Sequence, residues 1–251
     1  MSLMPNERNV MVKARPAKPK ILVIDIETRP ALGYVWGLFD QNIGLEQLVE
    51  PSAPIAVAAK YVGEKEMFFY SDWKDGHDEM IRQVHRLLSE ADAVVGYNSD
   101  AFDLRKLRGE FLLAGLAPPP PLTSIDLLKS MKKMGFQSNK LAYIGPFLGV
   151  GAKVKHEGFG LWAKCLQGDV KAQKRMEKYN KQDVVVTEAL YKKILAYIPN
   201  HPHLGKEARE CGACGSNKVQ SRGYRRTKSF TIQRLQCTSC GSWQDGARKK
   251  V

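Results

Sequence analysis

The chain has 251 residues, of which 43% are hydrophobic, and a formal net charge of +13. This length and composition exclude a globally disordered chain and allow one well-buried domain plus a smaller unit. No apolar run approaches the length of about 18 residues that a membrane span needs. The N-terminus also lacks the apolar segment of a signal peptide, so we expect a cytoplasmic protein.

The positive charge is concentrated at the two ends of the chain. Residues 1–20 carry a net charge of +4 and residues 205–251 a net charge of +8, so the stretch between them is close to neutral. Basic flanks on a neutral body are typical of proteins that bind a polyanion, most often nucleic acid. Improved solubility is the alternative explanation.

The sequence of the first half of the chain predicts strands with one helix among them. Residues 1–19 are polar and basic, which predicts a flexible basic arm. Strands are predicted from Ile21, Pro54, Glu66 and Ala93, because each begins a short apolar or β-branched run. Between the last two strands, apolar residues recur at the spacing of an amphipathic helix; they are Met80, Ile81, Val84, Leu87 and Leu88.

The sequence of the second half of the body predicts helices. One helix is predicted from Asp103 to Gly115, and a short helix in residues 138–151 is expected to break at Gly145 and Pro146. A long helical region occupies residues 169–198. This order of elements predicts an α/β fold with a mixed sheet and helices on its faces.

Two carboxylates, Asp25 and Glu27, lie two residues apart in the first predicted strand. Side chains at this spacing point to the same face of a strand, and burying two carboxylates together is costly unless a cation neutralises them. Their oxygens suit Mg²⁺ or Mn²⁺. A solvated strand end is the alternative, because a D-x-E pair alone is a weak signal.

Two further acids lie near element ends. Asp103 begins the second predicted helix, where an acid is also a common N-cap. Asp183 follows Tyr179 by four residues, so both lie on one helix face. The ordered set is D-x-E on a strand, N-x-x-x-F-D after a later strand and Y-x-x-x-D on a late helix, and it is far more specific than any single motif.

In this order, the three motifs resemble those of the DEDD superfamily of 3′→5′ exonucleases, which has a ribonuclease H-like fold. The tyrosine of the third motif resembles the DEDDy branch. The sequence is most similar to the proofreading exonuclease domain of family B DNA polymerases, over about residues 20–198. The resemblance implies a ribonuclease H-like α/β domain that hydrolyses phosphodiester bonds at nucleic-acid 3′ ends.

The resemblance also implies a two-metal site that uses Mg²⁺ or Mn²⁺. Asp25 would bridge both ions, while Glu27 and Asp183 would complete the site of the ion that activates water. Asp103 would help to hold the second ion, and Tyr179 would hydrogen-bond the attacking water. Two cations can stabilise the charge on both the attacking and the leaving oxygen, whereas four clustered acids without cations would repel one another.

Contacts with nucleic acid are implied for Thr28, Asn98 and Phe102, which occupy motif positions near the terminal nucleotide. Each has a structural alternative, namely a strand-end hydroxyl, a turn residue and core packing. His156, before the third motif, is interpreted as a loop or substrate-side residue. Aromatic residues after the first motif could stack on bases, although aromatics are more often core; they are Tyr34, Trp36 and Phe39.

Four of the five cysteines form two C-x-x-C pairs near the C-terminus, each followed by glycine; they are Cys211, Cys214, Cys237 and Cys240. This spacing predicts one structural zinc ion held by four thiolates. Disulfides are the alternative, which a reducing compartment disfavours. The segment resembles a zinc ribbon.

Basic and aromatic side chains alternate between the two cysteine pairs. A small β-hairpin with this composition suits phosphate contact and base stacking. A solvated hairpin that covers the zinc site and a surface that docks a protein remain open. The residues predicted to bind nucleic acid are Arg222, Tyr224, Arg225, Arg226 and Lys228.

The sequence therefore predicts a metal-dependent 3′→5′ exonuclease with a C-terminal zinc ribbon, and analogy favours single-stranded DNA as substrate. The alternatives are a 3′→5′ exoribonuclease and a catalytically inactive protein that binds nucleic acid or docks to a polymerase or other replication partner. The predicted organisation is a basic arm (1–19), an exonuclease domain (20–198), a linker (199–208) and the ribbon (209–251).

Overall fold

A computed structural model of the chain describes residues 19–154, 157–199, 201–207 and 209–251. The predicted arm, apart from residue 19, and His156 therefore lie outside the described residues. The strands are, in chain order, β1 (Ile21–Thr28), β2 (Leu32–Gly33), β3 (Leu48–Glu50), β4 (Pro54–Tyr61), β5 (Phe68–Ser71), β6 (Ala93–Gly96), β7 (Thr123–Asp126), β8 (Val219–Arg226), β9 (Phe230–Cys237) and β10 (Trp243–Lys250).

The helices are α1 (His77–Glu90), α2 (Asp103–Leu113), α3 (Leu127–Met131), α4 (Leu141–Phe147), α5 (Phe159–Leu166) and α6 (Val170–Ile194). Single 3-10 turns occupy Leu45–Gln47 and Leu195–Tyr197. Across the part of the chain that the structure describes, none of the helices combines the length and the apolar character that crossing a membrane requires.

The body is built on a five-stranded sheet in the order β5-β4-β1-β6-β7. β1 pairs in parallel with β6 and antiparallel with β4, and β6 pairs in parallel with β7. The sheet is therefore mixed, as the sequence predicts. The central strand is β1, which carries the D-x-E pair.

Alternation along β1 separates the core into two layers. Leu22 and Ile24 pack with residues of α1 and α2 on one face of the sheet. Val23 packs on the other face, against Val184 and Leu190 of α6. Because side chains alternate with a period of two, Asp25 and Glu27 share the α6 face with Val23.

The structure adds elements that the sequence did not predict, β7 and α5 among them, and it changes one predicted helix. β7 was not predicted, because its Thr-Ser-Ile-Asp segment is short and mostly polar. The predicted break at Gly145 and Pro146 is wrong, since α4 continues to Phe147. Pro146 lies in the last turn, where its missing N–H removes one hydrogen bond and the helix ends soon after. Gly145 is needed there because a Cβ would lie 2.6 Å from the carbonyl oxygen of Gly151.

The C-terminal segment forms a separate antiparallel sheet in the order β10-β9-β8. The predicted hairpin corresponds to β8 and β9. The segment that precedes it contacts α6, because Leu204 is buried in the α6 layer of the core and the Tyr191 hydroxyl lies 3.0 Å from His201 Nε2. The division of the chain at residues 19, 198 and 208 remains a prediction.

Candidate active site and cysteine cluster

The helix α6 brings the third motif against β1. Asp169 caps the helix by accepting hydrogen bonds from the backbone N–H groups of Lys171 and Ala172. Buried residues hold the second half of α6 on the sheet. Tyr179 and Asp183 lie one turn apart on this buried face, as their spacing predicts.

Three carboxylates meet at this contact. One ligand oxygen from each of Asp25, Glu27 and Asp183 lies within 4.8 Å of the other two. Glu27 and Asp183 are buried, with Asp183 only 2% exposed, and Asp25 is partly buried. Such a set of hard oxygen donors fits a divalent cation such as Mg²⁺ or Mn²⁺.

Asn180 holds Asp25 in place, a role that no motif in the sequence indicated. Its side-chain amide donates to the Asp25 carboxylate at 2.6 Å and to the Asp25 carbonyl at 3.1 Å. Asn180 is fully buried. The contact ties α6 to β1 at the residue that the other acids surround.

Asp103 lies beside the three acids but outside their group. Its carboxylate accepts a hydrogen bond from the Ile26 N–H at 2.9 Å. The pairing of β1 with β6 ends at Val23, so no residue of β6 accepts a hydrogen bond from the Ile26 N–H. The Asp103 carboxylate accepts it instead. Burial raises the pKa of Asp103 to about 7, although the hydrogen bond from Ile26 opposes this shift.

Lys153 is a second residue that the sequence did not reveal. Its ammonium forms an ion pair with Asp183 at 2.6 Å and donates to the Tyr179 hydroxyl at 3.0 Å. The same ammonium lies 5.2 Å from the centre of the Tyr179 ring. Lys153 follows a glycine-containing loop and has no helical or strand pattern around it, so only the tertiary structure places it here.

The electrostatics of the site favour a bound cation. Burial raises the pKa of Asp25 well above its usual range, and the three neighbouring acids raise it further. Burial, followed by the charge of Asp183, raises the pKa of Glu27 to about 8. Carboxyl groups in this state resist joint ionisation, and a divalent cation would relieve both the burial and the repulsion.

We expect the stability of the metal-free protein to fall as the pH rises. The pKa of Glu27 is about 8 in the folded state and near its usual value of about 4.3 in the unfolded chain. The folded state therefore retains a proton that the unfolded state has lost, so the stabilisation is complete below about pH 4 and is lost as the pH rises to 8. The loss should be on the order of a few kcal/mol.

Urea unfolding in the presence of a chelator, at intervals from pH 5 to 8.5, measures this dependence. Glu27→Gln should make the slope of the unfolding free energy against pH less steep. It should not remove the slope, because Asp25 and Asp103 still contribute. Glu64→Gln, at an exposed position, is the matched control and should leave the slope unchanged. An identical slope in the wild type and in Glu27→Gln would contradict the expectation.

The loop of the second motif is organised by Asp126. Asn98 adopts a left-handed conformation with φ of 66°, which asparagine tolerates better than most residues. Its N–H donates to Asp126 at 2.8 Å, and the same carboxylate caps α3 through Leu128. Asn98 is exposed, and Phe102 is 38% exposed rather than buried in the core.

The aromatic residues after the first motif also lie outside the core. Trp36 is 97% exposed, and Tyr34 and Phe39 are similarly open to solvent. Their segment is nevertheless ordered by local contacts, because Gln47 accepts from Gly44 and donates to the Tyr34 carbonyl. Thr28 ends β1 immediately before this segment and is partly buried.

The four cysteines of the C-x-x-C pairs converge on one point. Their sulfur atoms all lie within 4.8 Å of one another. The Cys211 and Cys240 sulfurs are 3.6 Å apart, and those of Cys214 and Cys237 are 3.7 Å apart. Four sulfurs bonded at about 2.3 Å to one tetrahedral ion lie about 3.8 Å apart. The geometry therefore fits a structural zinc ion, and the four cysteines are not joined by disulfides in this structure.

The comparisons with known proteins agree with this fold. A family model described as the RNase H superfamily matches residues 45–195, more than half of the chain. The structure is similar to a family B DNA polymerase from the hyperthermophilic archaeon Pyrobaculum calidifontis, with a TM-score of 0.56 and 18% identity. This likeness covers 73% of the present chain and 25% of the polymerase chain. No curated protein matches the sequence.

The matched region contains Asp103, Tyr179 and Asp183, and it begins after the strand that carries Asp25 and Glu27. The structural likeness, at its low identity, extends to the fold alone. The predicted ribonuclease H-like architecture is nevertheless confirmed by both comparisons. The chain belongs to the RNase H superfamily.

Proposed function

We propose that this chain is a metal-dependent nuclease that removes nucleotides from the 3′ ends of nucleic acids, with single-stranded DNA as the favoured substrate. The observation that carries the proposal is the convergence of Asp25, Glu27 and Asp183, with ligand oxygens within 4.8 Å of one another on the face of β1 that meets α6. The 3′→5′ direction and the DNA preference rest on the resemblance of the three motifs to proofreading exonucleases.

Each acid has a role that its position supports. Asp25, Glu27 and Asp183 would hold one Mg²⁺ or Mn²⁺ ion, and Asp103 with Asp25 would hold a second. Bound cations would supply a hydroxide nucleophile near neutral pH and would neutralise the charge on the leaving 3′ oxygen. Asn180 keeps the Asp25 carboxylate directed towards the other acids.

Tyr179 would orient the attacking water. Burial raises the pKa of its phenol to about 12, so the hydroxyl keeps its proton at neutral pH and acts by hydrogen bonding rather than as a base. Lys153 donates to the same hydroxyl and thereby limits the positions that the Tyr179 side chain adopts.

The test is product analysis on 5′-labelled single-stranded DNA and RNA of the same sequence, with Mg²⁺ or Mn²⁺. A ladder that shortens by one nucleotide from the 3′ end supports the exonuclease proposal, and the better substrate identifies the sugar. Faster cleavage of RNA would favour the exoribonuclease. Absence of turnover on every substrate with either metal would overturn the nuclease and favour a protein that binds nucleic acid or docks to a replication partner.

We expect Lys153→Met to destabilise the metal-free protein by about 2 kcal/mol, because it leaves the buried Asp183 carboxylate without its ion pair. Breaking a fully buried pair costs about 3–5 kcal/mol, and the figure is reduced here because the Lys153 side chain is 29% exposed. The melting temperature should fall by about 4–8 °C.

Differential scanning fluorimetry measures the melting temperatures of wild type and Lys153→Met, with and without Mn²⁺. Saturating Mn²⁺ should reduce the difference in melting temperature between wild type and Lys153→Met, because the cation replaces the lost positive charge beside Asp183. Lys133→Met, at an exposed lysine after α3, should leave the melting temperature unchanged. The same difference in melting temperature with and without Mn²⁺ would contradict the expectation and would show that Lys153 does not act through the acid cluster.

A further inference from the structure

The three-stranded sheet of the ribbon has two faces of different composition. Residues paired directly across antiparallel strands point to the same side of a sheet. Ile232 of β9 pairs with Arg225 of β8 and Arg248 of β10, and Arg234 pairs with Asp245. Ile232 and Arg234 are two apart on β9, so all five side chains share one face.

The same register extends this face in both directions. Phe230 pairs with Lys250, and Gln236 pairs with Trp243. Arg222 lies at the bulge in β8 and donates to the Gln236 side chain at 3.2 Å, which places it on this side. We call this surface the basic face; its charged and aromatic members are Arg222, Arg225, Arg234, Arg248, Lys250, Asp245, Phe230 and Trp243.

The residues that the sequence predicted to bind nucleic acid do not all lie on the basic face, because some of them lie on the opposite face of the sheet. Tyr224 pairs with Gln233, and Thr231 pairs with Arg226 and Lys249. This face therefore carries two cations and one aromatic residue. Lys228 lies in the turn between β8 and β9. The basic face carries five cations against one acid, so most of the ribbon's sheet charge lies on one side.

The basic face is preorganised rather than a collection of independent solvated chains. Asp245 accepts from Arg225 at 2.8 and 3.2 Å and from Arg248 at 3.4 Å, which spaces two guanidinium groups across the sheet. The Arg234 guanidinium lies 5.8 Å from the centre of the Trp243 ring. One acid cannot neutralise five cations, so a net positive surface remains for a ligand.

Two aromatic side chains lie at opposite ends of this surface. Trp243 is 54% exposed and Phe230 is 40% exposed. Phe230 begins β9, whereas Trp243 pairs with Gln236 near the other end of β9. Unpaired bases stack on exposed aromatic side chains while cationic side chains contact the phosphates. Duplex bases are already stacked on one another, so the arrangement favours a single strand.

We infer that the basic face is the surface on which the ribbon binds single-stranded nucleic acid, and that Tyr224 and Arg226 on the opposite face take no part. The inference rests on the proposed function in that it assigns the holding of the substrate strand to this face. Arg222, Arg234 and Lys250 contact phosphates, and Trp243 and Phe230 stack on bases.

The two faces provide a matched experiment. Arg222→Gln with Lys250→Gln removes one arginine of β8 and one lysine of β10 from the basic face. Arg226→Gln with Lys249→Gln removes the same two residue types from the same two strands on the opposite face. Binding of a fluorescein-labelled single-stranded oligodeoxynucleotide is measured by anisotropy with full-length protein that also carries Asp25→Asn, so that the probe is not degraded.

The basic-face pair should weaken binding about 10-fold at 150 mM salt and lower the slope of log affinity against log salt by about 1.4, since each phosphate contact on a single strand contributes about 0.7. The opposite-face pair should change the affinity less than about 2-fold. Equal losses from both pairs would overturn the inference in favour of diffuse charge attraction, and no loss from either would overturn it in favour of a ribbon that docks a protein.

Stacking is tested separately with Trp243→Ala and with Tyr224→Ala as its control. Trp243→Ala should weaken binding of the single strand about 5-fold or more and binding of a matched duplex much less, whereas Tyr224→Ala should do neither. Equal losses on single strand and duplex would overturn base stacking. A measured zinc content of one per chain verifies that each variant ribbon is folded. Trp243→Leu replaces Trp243→Ala, and Tyr224→Leu replaces Tyr224→Ala, if the alanine variant loses zinc.

These measurements do not depend on hydrolysis. A chain that binds through the basic face but shows no turnover would lose the exonuclease proposal and keep this inference. A chain that degrades 3′ ends with both pairs of variants binding equally would keep the exonuclease proposal and lose this inference.

Discussion

Asp25→Asn is expected to lower the rate of nucleotide release by at least about 1,000-fold while leaving nucleic-acid binding intact. Asp25 belongs to the three-carboxylate group and is close enough to Asp103 for that acid to raise its pKa as well, so we expect its charge to be needed for every cation that the site would hold. Cations contribute several kcal/mol of transition-state stabilisation, and each 1.36 kcal/mol is a factor of ten in rate. Binding should persist because the positive charge lies elsewhere, in the ribbon and the N-terminal residues.

The same substitution should raise the stability of the metal-free protein by about 1–2 kcal/mol, or about 2–8 °C in melting temperature. Burial and repulsion from three other acids raise the pKa of Asp25, which means that its charge opposes folding. Asparagine has nearly the same shape, and its side-chain oxygen can still accept the hydrogen bond from Asn180. Loss of activity with a gain in stability distinguishes a functional residue from a structural one.

Quantitative gel analysis of a labelled strand measures the rate, anisotropy measures binding, and fluorimetry in a chelator measures the melting temperature. Asp78→Asn makes the same chemical change at an exposed position in the first turn of α1 and should preserve activity. Degradation at the wild-type rate by Asp25→Asn would remove the basis of the proposed active site. Addition of Mn²⁺ should stabilise the wild type more than the variant.

Cys237→Ser is expected to unfold the ribbon and reduce its zinc content from about one ion per chain to none. Structural zinc sites contribute about 10–16 kcal/mol to folding of small domains, and the few buried apolar side chains of this segment include Cys237 and Cys211 themselves. Affinity for single-stranded DNA should fall at least about 10-fold, because the basic face requires the register of β9 with its neighbours.

Elemental analysis measures the zinc content, and limited trypsin digestion reports unfolding, since the strands of the ribbon are rich in lysine and arginine. Cys165→Ser is the matched control. Cys165 is a buried cysteine of α5 in the body and should leave one zinc ion per chain. Retention of zinc and of trypsin resistance in Cys237→Ser would exclude a four-thiolate site.

Regular patterns in the sequence predicted the elements that build the core. α1, α2 and α6 repeat apolar residues at helical spacing and β1 is a short apolar, β-branched run, and each appears where predicted. β7 and α5 were not predicted, because a four-residue, mostly polar strand and an eight-residue apolar helix carry too few repeats to define a period. Their positions depend on β6 and α6, against which they pack.

The sequence also predicted each side of the active site separately. The two-residue spacing of Asp25 and Glu27 placed them on one face of β1, and the four-residue spacing of Tyr179 and Asp183 placed them on one face of α6. The sequence could not predict the roles of Asn180 and Lys153. Asparagine and lysine on a helix or in a loop are usually solvated, and only the contacts with Asp25 and Asp183 place these two in the candidate site.

The sequence by itself determined the fold class and the cysteine cluster, because period, spacing and residue type are properties of the chain alone, and its motifs predicted which acids form the candidate site. The tertiary structure decided which of these residues meet. It joined Asp183 to Asp25 and Glu27 through the packing of α6 on β1, placed a lysine beside Asp183, and divided the ribbon's cations between two faces. These outcomes depend on strand register and helix packing, which join residues of different elements, such as Asp25 and Asp183, and leave no local pattern in the sequence.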